Sequence, residues 1–446
     1  MGVEIRKEDI GRILRISIGS KRLETPHFFP VIRRGEKVSI PTAGVITSAY
    51  LLRKAGYRGD VHEAIGFDGI VMTDSGAYQI IAYRTPISVS PDEIVEYQKE
   101  INSDIAVILD EPIFHEDSEE EARRKARETV RRAREAKIDD KRIRVMPIHG
   151  VRRPKILERM IRNADFNRFS MAALGGVVPL MEKYDYASVV EATVIARSLL
   201  PASVPLHVFG AGHPTLIPFL VAAGADTFDS ASYALYAKSG RYMTPWGTYS
   251  LDDLTELPCT CPICLNRDPQ ELKRNPELLA LHNYYVILQE VLRVREAIRL
   301  GRLREYLEMK ARTHPAAMDA LKVLIKYRHL IRPRAARFRS RGMFLYDRES
   351  LLRPDAPEIP EVPKEGRILL IISKEPPLRK LEEFSEYDHV IYVTPRGLIP
   401  AELSETYPFS QTELPEYLRQ ELLDYRIKKA KEIRKEFDVK ELERCI

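Results

Sequence analysis

Six short apolar runs punctuate the first 230 residues: Gly69–Thr73, Ile105–Leu109, Ile143–Ile148, Phe169–Leu174, Pro205–Phe209 and Asp226–Phe228. Each is bounded by polar residues or glycine, the pattern of strands buried on both faces of a parallel sheet. Charged segments with helical character lie between them. The longest is Asp117–Lys137, where Asp117 or Ser118 can cap the N-terminus, acidic residues fill the first turn and Arg and Lys follow.

The residues that close these strands carry most of the information. In order they are Asp74, Asp110, His149, Gly175–Gly176, Gly210 and Asp229. Functional groups at successive strand ends, about one βα unit apart, predict an α/β protein built on a (β/α)8 TIM barrel with its site on the C-terminal face. The alternative is a doubly wound open sheet, which would gather ligand contacts at one switch point. Further along, Leu278–Ile298 and Leu303–Met309 read as helices, and Pro354, Pro357, Pro360 and Pro363 mark a linker. The run Arg367–Ser373 then opens a small α/β domain ending in a charged helix, Tyr417–Leu442. The expected division is a barrel over 1–325 with an inserted metal-binding region at about 250–300, a basic and Pro-rich linker over 326–364, and the small domain over 365–446.

Composition agrees with several soluble domains: 446 residues, 44% hydrophobic and 30% charged. No run approaches the roughly 20 apolar residues that cross a bilayer, and the N-terminus has no apolar signal core. Four cysteines, three of them clustered, suit a reducing compartment, so the cytoplasm is the expected location. The net charge of +5 says little, but Ala320–Tyr346 contains no Asp or Glu. Lys322, Lys326, Arg328, Arg332, Arg334, Arg337, Arg339 and Arg341 occupy that stretch, which reads as a phosphate-contacting segment or a solvated helix face.

Cys259, Cys261 and Cys264 fall within six residues, and His282 follows on a helix-like run. Three thiolates and one imidazole complete a tetrahedral zinc set with no open position, which predicts a structural metal over a trio of surface cysteines. Asp74 and Asp229 sit among small residues, in Met-Thr-Asp-Ser-Gly-Ala-Tyr-Gln and Thr-Phe-Asp-Ser-Ala-Ser-Tyr, where a substrate can approach closely. Two carboxylates on one barrel face can divide nucleophilic and acid/base labour at a sugar anomeric carbon; either can also be a helix cap. Asp110 can accept from the amidine-like edge of a purine, Gly175 and Gly176 can offer bare backbone, and Tyr78 can stack on a planar base. A buried cap, a tight turn and a core aromatic are their plainer readings. The turn Gly210-Ala-Gly-His-Pro lacks the Lys and Ser/Thr of a phosphate loop.

Met72–Gln79, Gly175–Glu182, Phe209–Pro214, Phe228–Tyr242 and the cysteine cluster with Leu281-His-Asn together resemble the tRNA-guanine transglycosylases, and Ala-Ser-Tyr-Ala-Leu-Tyr-Ala resembles their archaeal branch. The resemblance spans about residues 8–350. It implies a (β/α)8 barrel with an inserted zinc-binding region and exchange of a D-arm guanine of tRNA (position fifteen) for free 7-cyano-7-deazaguanine, toward archaeosine. By the same resemblance Asp229 matches the nucleophile that attacks ribose C1′ and Asp74 the general acid/base. Asp110 matches the reader of the base's Watson–Crick edge, Gly175 and Gly176 the backbone contacts, and Tyr78 the stacking aromatic. One departure stands out: the family's Pro-Val-Gln-Gly is Pro147-Ile-His-Gly here, putting His149 where a glutamine amide contacts the base. Tyr392–Gln411 resembles the small domain that follows the barrel in archaeal members. Those members carry a further RNA-binding PUA domain; with this chain stopping at Ile446, a separate PUA partner or grip by the barrel and small domain alone is expected. A homodimer and one structural zinc per chain are expected as well. An archaeosine-synthase-like paralogue and a non-catalytic tRNA-binding subunit are the alternative functions.

Overall fold

The computed structural model describes residues 2–446 apart from 37, 39, 78–88, 139–141, 337–338, 357–360, 362, 364, 373–383, 435–438 and 444–446. Its first three strands, β1 (Gly2–Glu8), β2 (Arg12–Ile18) and β3 (Lys21–Glu24), form an antiparallel sheet. The next eight are all parallel: β4 (His27–Pro30), β5 (Gly44–Ser48), β6 (Ile70–Asp74), β7 (Ile105–Val107), β8 (Ile143–Ile148), β9 (Met171–Leu174), β10 (Leu206–Val208) and β11 (Thr227–Ser230). Each pairs with its neighbour in sequence and β11 pairs with β4, while a parallel bridge from Val31 to Ile46 joins the β4 and β5 edges. The ring is a TIM barrel; an open doubly wound sheet would reverse its strand order midway. Six of these strands lie on the apolar runs. Strands β4 and β5 lie on no such run: β4 is His-Phe-Phe-Pro, ending in a proline that speaks against a strand, and β5 is Gly-Val-Ile-Thr-Ser, with only two strongly apolar residues.

Alternate residues of the barrel strands face opposite layers. Phe29, Ile46, Met72, Ile105, Val107, Ile143, Val145 and Met171 share one core cluster with Leu14, Ile16 and Leu23 of the antiparallel sheet. That sheet therefore plugs the N-terminal end of the barrel and leaves the C-terminal end as the open face. Out-facing Met146, Ile148, Ala172 and Leu174 pack in a second cluster with the surrounding helices. The helix Glu119–Glu135 begins at Ser118, whose side chain accepts from the Glu121 amide at 3.1 Å, as a stretch with three acidic residues in its first turn should.

A buried ion pair ties the plug to the barrel. Arg12 grips Asp226 with two parallel bonds of 2.8 Å, and Asp226 also accepts from the Leu206 amide at 2.7 Å. The start of β11 is thus fixed three residues before Asp229. Arg334 donates to the carbonyls of Ile10 and Ala222 near this corner, and its burial lowers its pKa to about 9.

The chain divides into two compact units, Met1–Arg334 and Ala335–Ile446. The basic stretch is split between them, and its cations are not uniformly free for phosphate. Arg334 is committed to carbonyls, Lys326 pairs with Glu191, and Arg339 pairs with the buried Asp355. In the second unit β12 (Ile368–Ile372) pairs in parallel with β13 (His389–Val393), which pairs antiparallel with β14 (Leu398–Pro400). The charged helix spans Glu416–Arg434 and does not run on to Leu442: Val439–Glu443 forms strand β15, parallel to β12 at the sheet edge. Composition cannot reveal that switch, because charged residues suit an edge strand as well as a helix. Among the described residues no helix is long and apolar enough to cross a membrane.

Candidate active site

Every strand-closing residue singled out in the sequence falls at the open end of the barrel. Asp74 ends β6, Asp110 and His149 follow β7 and β8, Gly175–Gly176 follow β9, Gly210 follows β10, and Asp229 lies in β11. Tyr78 lies outside the described residues.

Asp74 is the perturbed acid. Burial, then the negative charges of Asp110 and Asp229, push its carboxyl up to about 7, although the backbone N–H groups of Gly76 and Ser75 pull the other way. Three carboxylates close enough to feel one another cannot all ionise cheaply, so one holds a proton near neutrality. Asp74 is that one.

Asp229 is held differently. Its Oδ1 accepts from His207 Nε2 at 3.0 Å and from the Gly210 amide at 2.9 Å. Among the described residues none donates to Oδ2, which leaves that oxygen for a substrate. His207 is fully buried, and its Nδ1 lies 2.9 Å from Thr227 Oγ1, which fixes the ring. The sequence signal for His207 is its place as the lone polar residue in the apolar run Pro205-Leu-His-Val-Phe, a position that otherwise reads as core. Gly210 is required twice over: its φ is +68°, and a Cβ there would meet Val178 Cγ2 at 2.3 Å.

Asp110 and His149 form a second buried pair. His149 Nε2 lies 2.6 Å from Asp110 Oδ2, and the imidazole leans on Gly175, where a Cβ would stand 2.7 Å from its Cε1. His149 Nδ1 is buried with no hydrogen-bond partner among the described residues. A polar atom left unsatisfied inside a protein marks a place that a ligand can complete.

The metal-binding set lies beyond the barrel strands. The ligand atoms of Cys259, Cys261, Cys264 and His282 all fall within 4.8 Å of one another. His282 Nδ1 faces the sulfurs, 3.1 Å from Cys264 Sγ and 3.5 Å from Cys261 Sγ, while Nε2 sits 2.9 Å from the Met243 carbonyl. With Nε2–H donating to that carbonyl, the Nδ1 lone pair points at the metal position, a usual outer-shell arrangement. Tyr242 stacks on the ring at 3.8 Å, and Asn283 ties Met243, Tyr233 and Arg241 to the same helix, Pro276–Arg299. The set fits a tetrahedral ion and offers no fifth, catalytic position. Stripping the metal with a chelator should therefore lower the melting temperature by roughly 10 °C, with activity lost only in step with folded protein. Paired melting and activity curves check this; inactive protein with an unchanged melt would assign the metal a catalytic part.

Comparison with known proteins gives the chain its family. Residues 7–316 match the queuine tRNA-ribosyltransferase family. The chain is 41% identical to a tRNA-guanine(15) transglycosylase of Aeropyrum pernix, over 93% of this chain and 88% of that one. It is 38% identical to the Saccharolobus solfataricus protein of the same name over 94% and 92%, and 36% identical to that of Sulfolobus acidocaldarius over 94% and 90%. With a family match over more than two thirds of its length and relatives at 36–41% identity, the chain belongs to the queuine tRNA-ribosyltransferase family.

Proposed function

We propose that this chain exchanges a guanine at position 15 of tRNA for free 7-cyano-7-deazaguanine by double displacement. The observation that carries the reading is the pairing of an Asp229 oriented by two donors with an Asp74 that holds its proton to about 7. Asp229 Oδ2 attacks C1′ of the ribose as the glycosidic bond breaks, and Asp74 gives its proton to the departing base. The incoming base returns a proton to Asp74, attacks C1′ and expels Asp229. Bonds and protons balance, so neither a nucleotide cofactor nor an oxidant is needed. The target nucleotide has to leave its stack first, at a cost of a few kcal/mol that phosphate contacts elsewhere on the tRNA offset.

In this reading Asp110 accepts from the base's amidine edge with the oxygen that His149 leaves free, the Gly175–Gly176 backbone and His149 contact the base beside it, and Tyr78 stacks on its plane. Zinc is the metal we assign to the Cys3His set, on donor chemistry. A dimer, a cytoplasmic setting and a PUA-domain protein acting in trans belong to the same proposal. The decisive test is mass spectrometry of tRNA nucleosides after incubation with guanine, 7-cyano-7-deazaguanine and 7-aminomethyl-7-deazaguanine in competition. The cyano base at position 15 is the expected product; tRNA bound without exchange would favour a non-catalytic subunit.

The contact between Gly175 and His149 gives a sharper test of base reading. Gly175→Ala places a methyl 2.7 Å from His149 Cε1, so the ring must swing off Asp110. Losing one hydrogen bond to the base predicts a rise of about tenfold in KM for the free base. The change in kcat should be smaller. Unchanged KM would remove His149 from base recognition.

A further inference from the structure

At the plugged end of the barrel, opposite the carboxylates, lies a cavity of about 380 Å³ bounded by the N-terminal ends of β4 and β5. Nothing in the exchange reaction uses it. One wall is a face of the helix Pro276–Arg299, where Tyr284, Leu288, Val291 and Arg295 recur at helical spacing. The other is the β2–β3 hairpin, which contributes Arg15, Arg22 and Glu24, with Arg15 directly across from Glu24.

The charges do not balance. Three guanidinium groups line the cavity with one carboxylate, Glu24, which Arg299 holds at 2.8 Å and Arg295 shares at 3.7 Å. Arg15 has only a 3.6 Å contact with Glu4, and Arg22 has no ion pair among the described residues. Arg295 is anchored by Nη2 bonds to the carbonyls of Glu24 and Pro26, at 2.9 and 2.8 Å. Its Nε is buried without any partner among the described residues, and burial lowers its pKa. His27 adds no charge, because burial holds it neutral at about 4. A buried cationic N–H without an acceptor is costly. Two further arginines beside it, with an apolar wall opposite, describe a site for a dianion.

We propose that this cavity is an accessory phosphate site, filled by a small phosphate ester or by a backbone phosphate of the bound RNA. A phosphate there would add an acceptor beside the Arg295 guanidinium and draw Arg15 and Arg22 together. It would also brace the helix that carries His282 and Asn283 against the barrel. The site is separate from the catalytic carboxylates, so base exchange can fail or succeed independently of it.

The test uses the whole chain with adenosine monophosphate and tRNA as probes, and chloride at matched ionic strength as control. Arg22→Gln is the primary variant, since Arg22 is exposed and unpaired and its loss leaves the fold intact; Arg295→Gln is the second. If the ligand is a small ester, the nucleotide raises the melting temperature of the parent protein by about 2–4 °C. Arg22→Gln should then weaken its binding about tenfold. If the ligand is RNA backbone, the nucleotide gives no shift, but each variant lowers the salt dependence of tRNA binding by about one unit of slope. Either result supports a phosphate site. No nucleotide effect together with an unchanged salt slope in both variants overturns it, as does a nucleotide shift that neither variant diminishes.

Discussion

Replacing Asp229 with asparagine is expected to abolish incorporation of labelled deazaguanine into tRNA, lowering kcat by about four orders of magnitude or more. Metal content and the melting temperature should stay close to those of the parent. Asparagine is the better probe than alanine because its amide oxygen still accepts from His207 and Gly210, whose donors would otherwise lose their partner at about 1–2 kcal/mol. No neighbour can take over the attack. Asp74 holds a proton to about 7 and is a poor nucleophile in that state, and Asp110 is occupied by His149 at 2.6 Å. Incubating the parent protein with tRNA and no free base should yield a denaturation-resistant protein–RNA adduct, which the variant should not form. Full exchange by Asp229→Asn would sink the covalent mechanism.

The same pair shows what the sequence could and could not carry. Asp74, Asp110 and Asp229 were legible because a parallel barrel puts each strand's C-terminal residue on one face, whatever lies between. Spacing alone therefore located three carboxylates tens of residues apart. It could not say which one keeps its proton, since that depends on burial and on mutual distance. Nor could it say that Asp229 leans on His207, three residues before Gly210 in a run that reads as core. The Cys3His set was legible for a different reason: three thiols within six residues have few other uses. The barrel's first two strands and its three-stranded plug were not, because short strands gain their stability from neighbours distant in sequence. Composition could not sort the cations of the basic stretch. Arg334 and Arg339 are spent on a carbonyl pair and a buried aspartate that no local pattern announces.

Asp74→Asn should lower exchange by about 10²–10³-fold and at the same time stabilise the protein above neutral pH. Asparagine resembles the protonated acid in shape but gives up no proton, so the departing base leaves unassisted. The parent's kcat/KM should fall as pH rises through about 7, as Asp74 ionises in the free protein, and the variant should lose that limb. The stability effect has the opposite sign from that of a paired carboxylate. In the folded state the Asp74 pKa is raised to about 7 from an ordinary value of 3.8, so between those pH values the folded chain binds a proton that the unfolded chain has lost. Stability from this group is therefore fully present below the unfolded value and is lost as pH rises through about 7. Above that pH the buried carboxylate costs about 1–3 kcal/mol, which asparagine avoids. Melting curves at pH 4 and pH 8 decide the matter. Parent and variant should melt together at pH 4, and the variant should melt several degrees higher at pH 8. A variant that is inactive and gains nothing at pH 8 would mean that Asp74 is an ordinary ionised carboxylate, and the proton delivered to the leaving base would have to come from elsewhere.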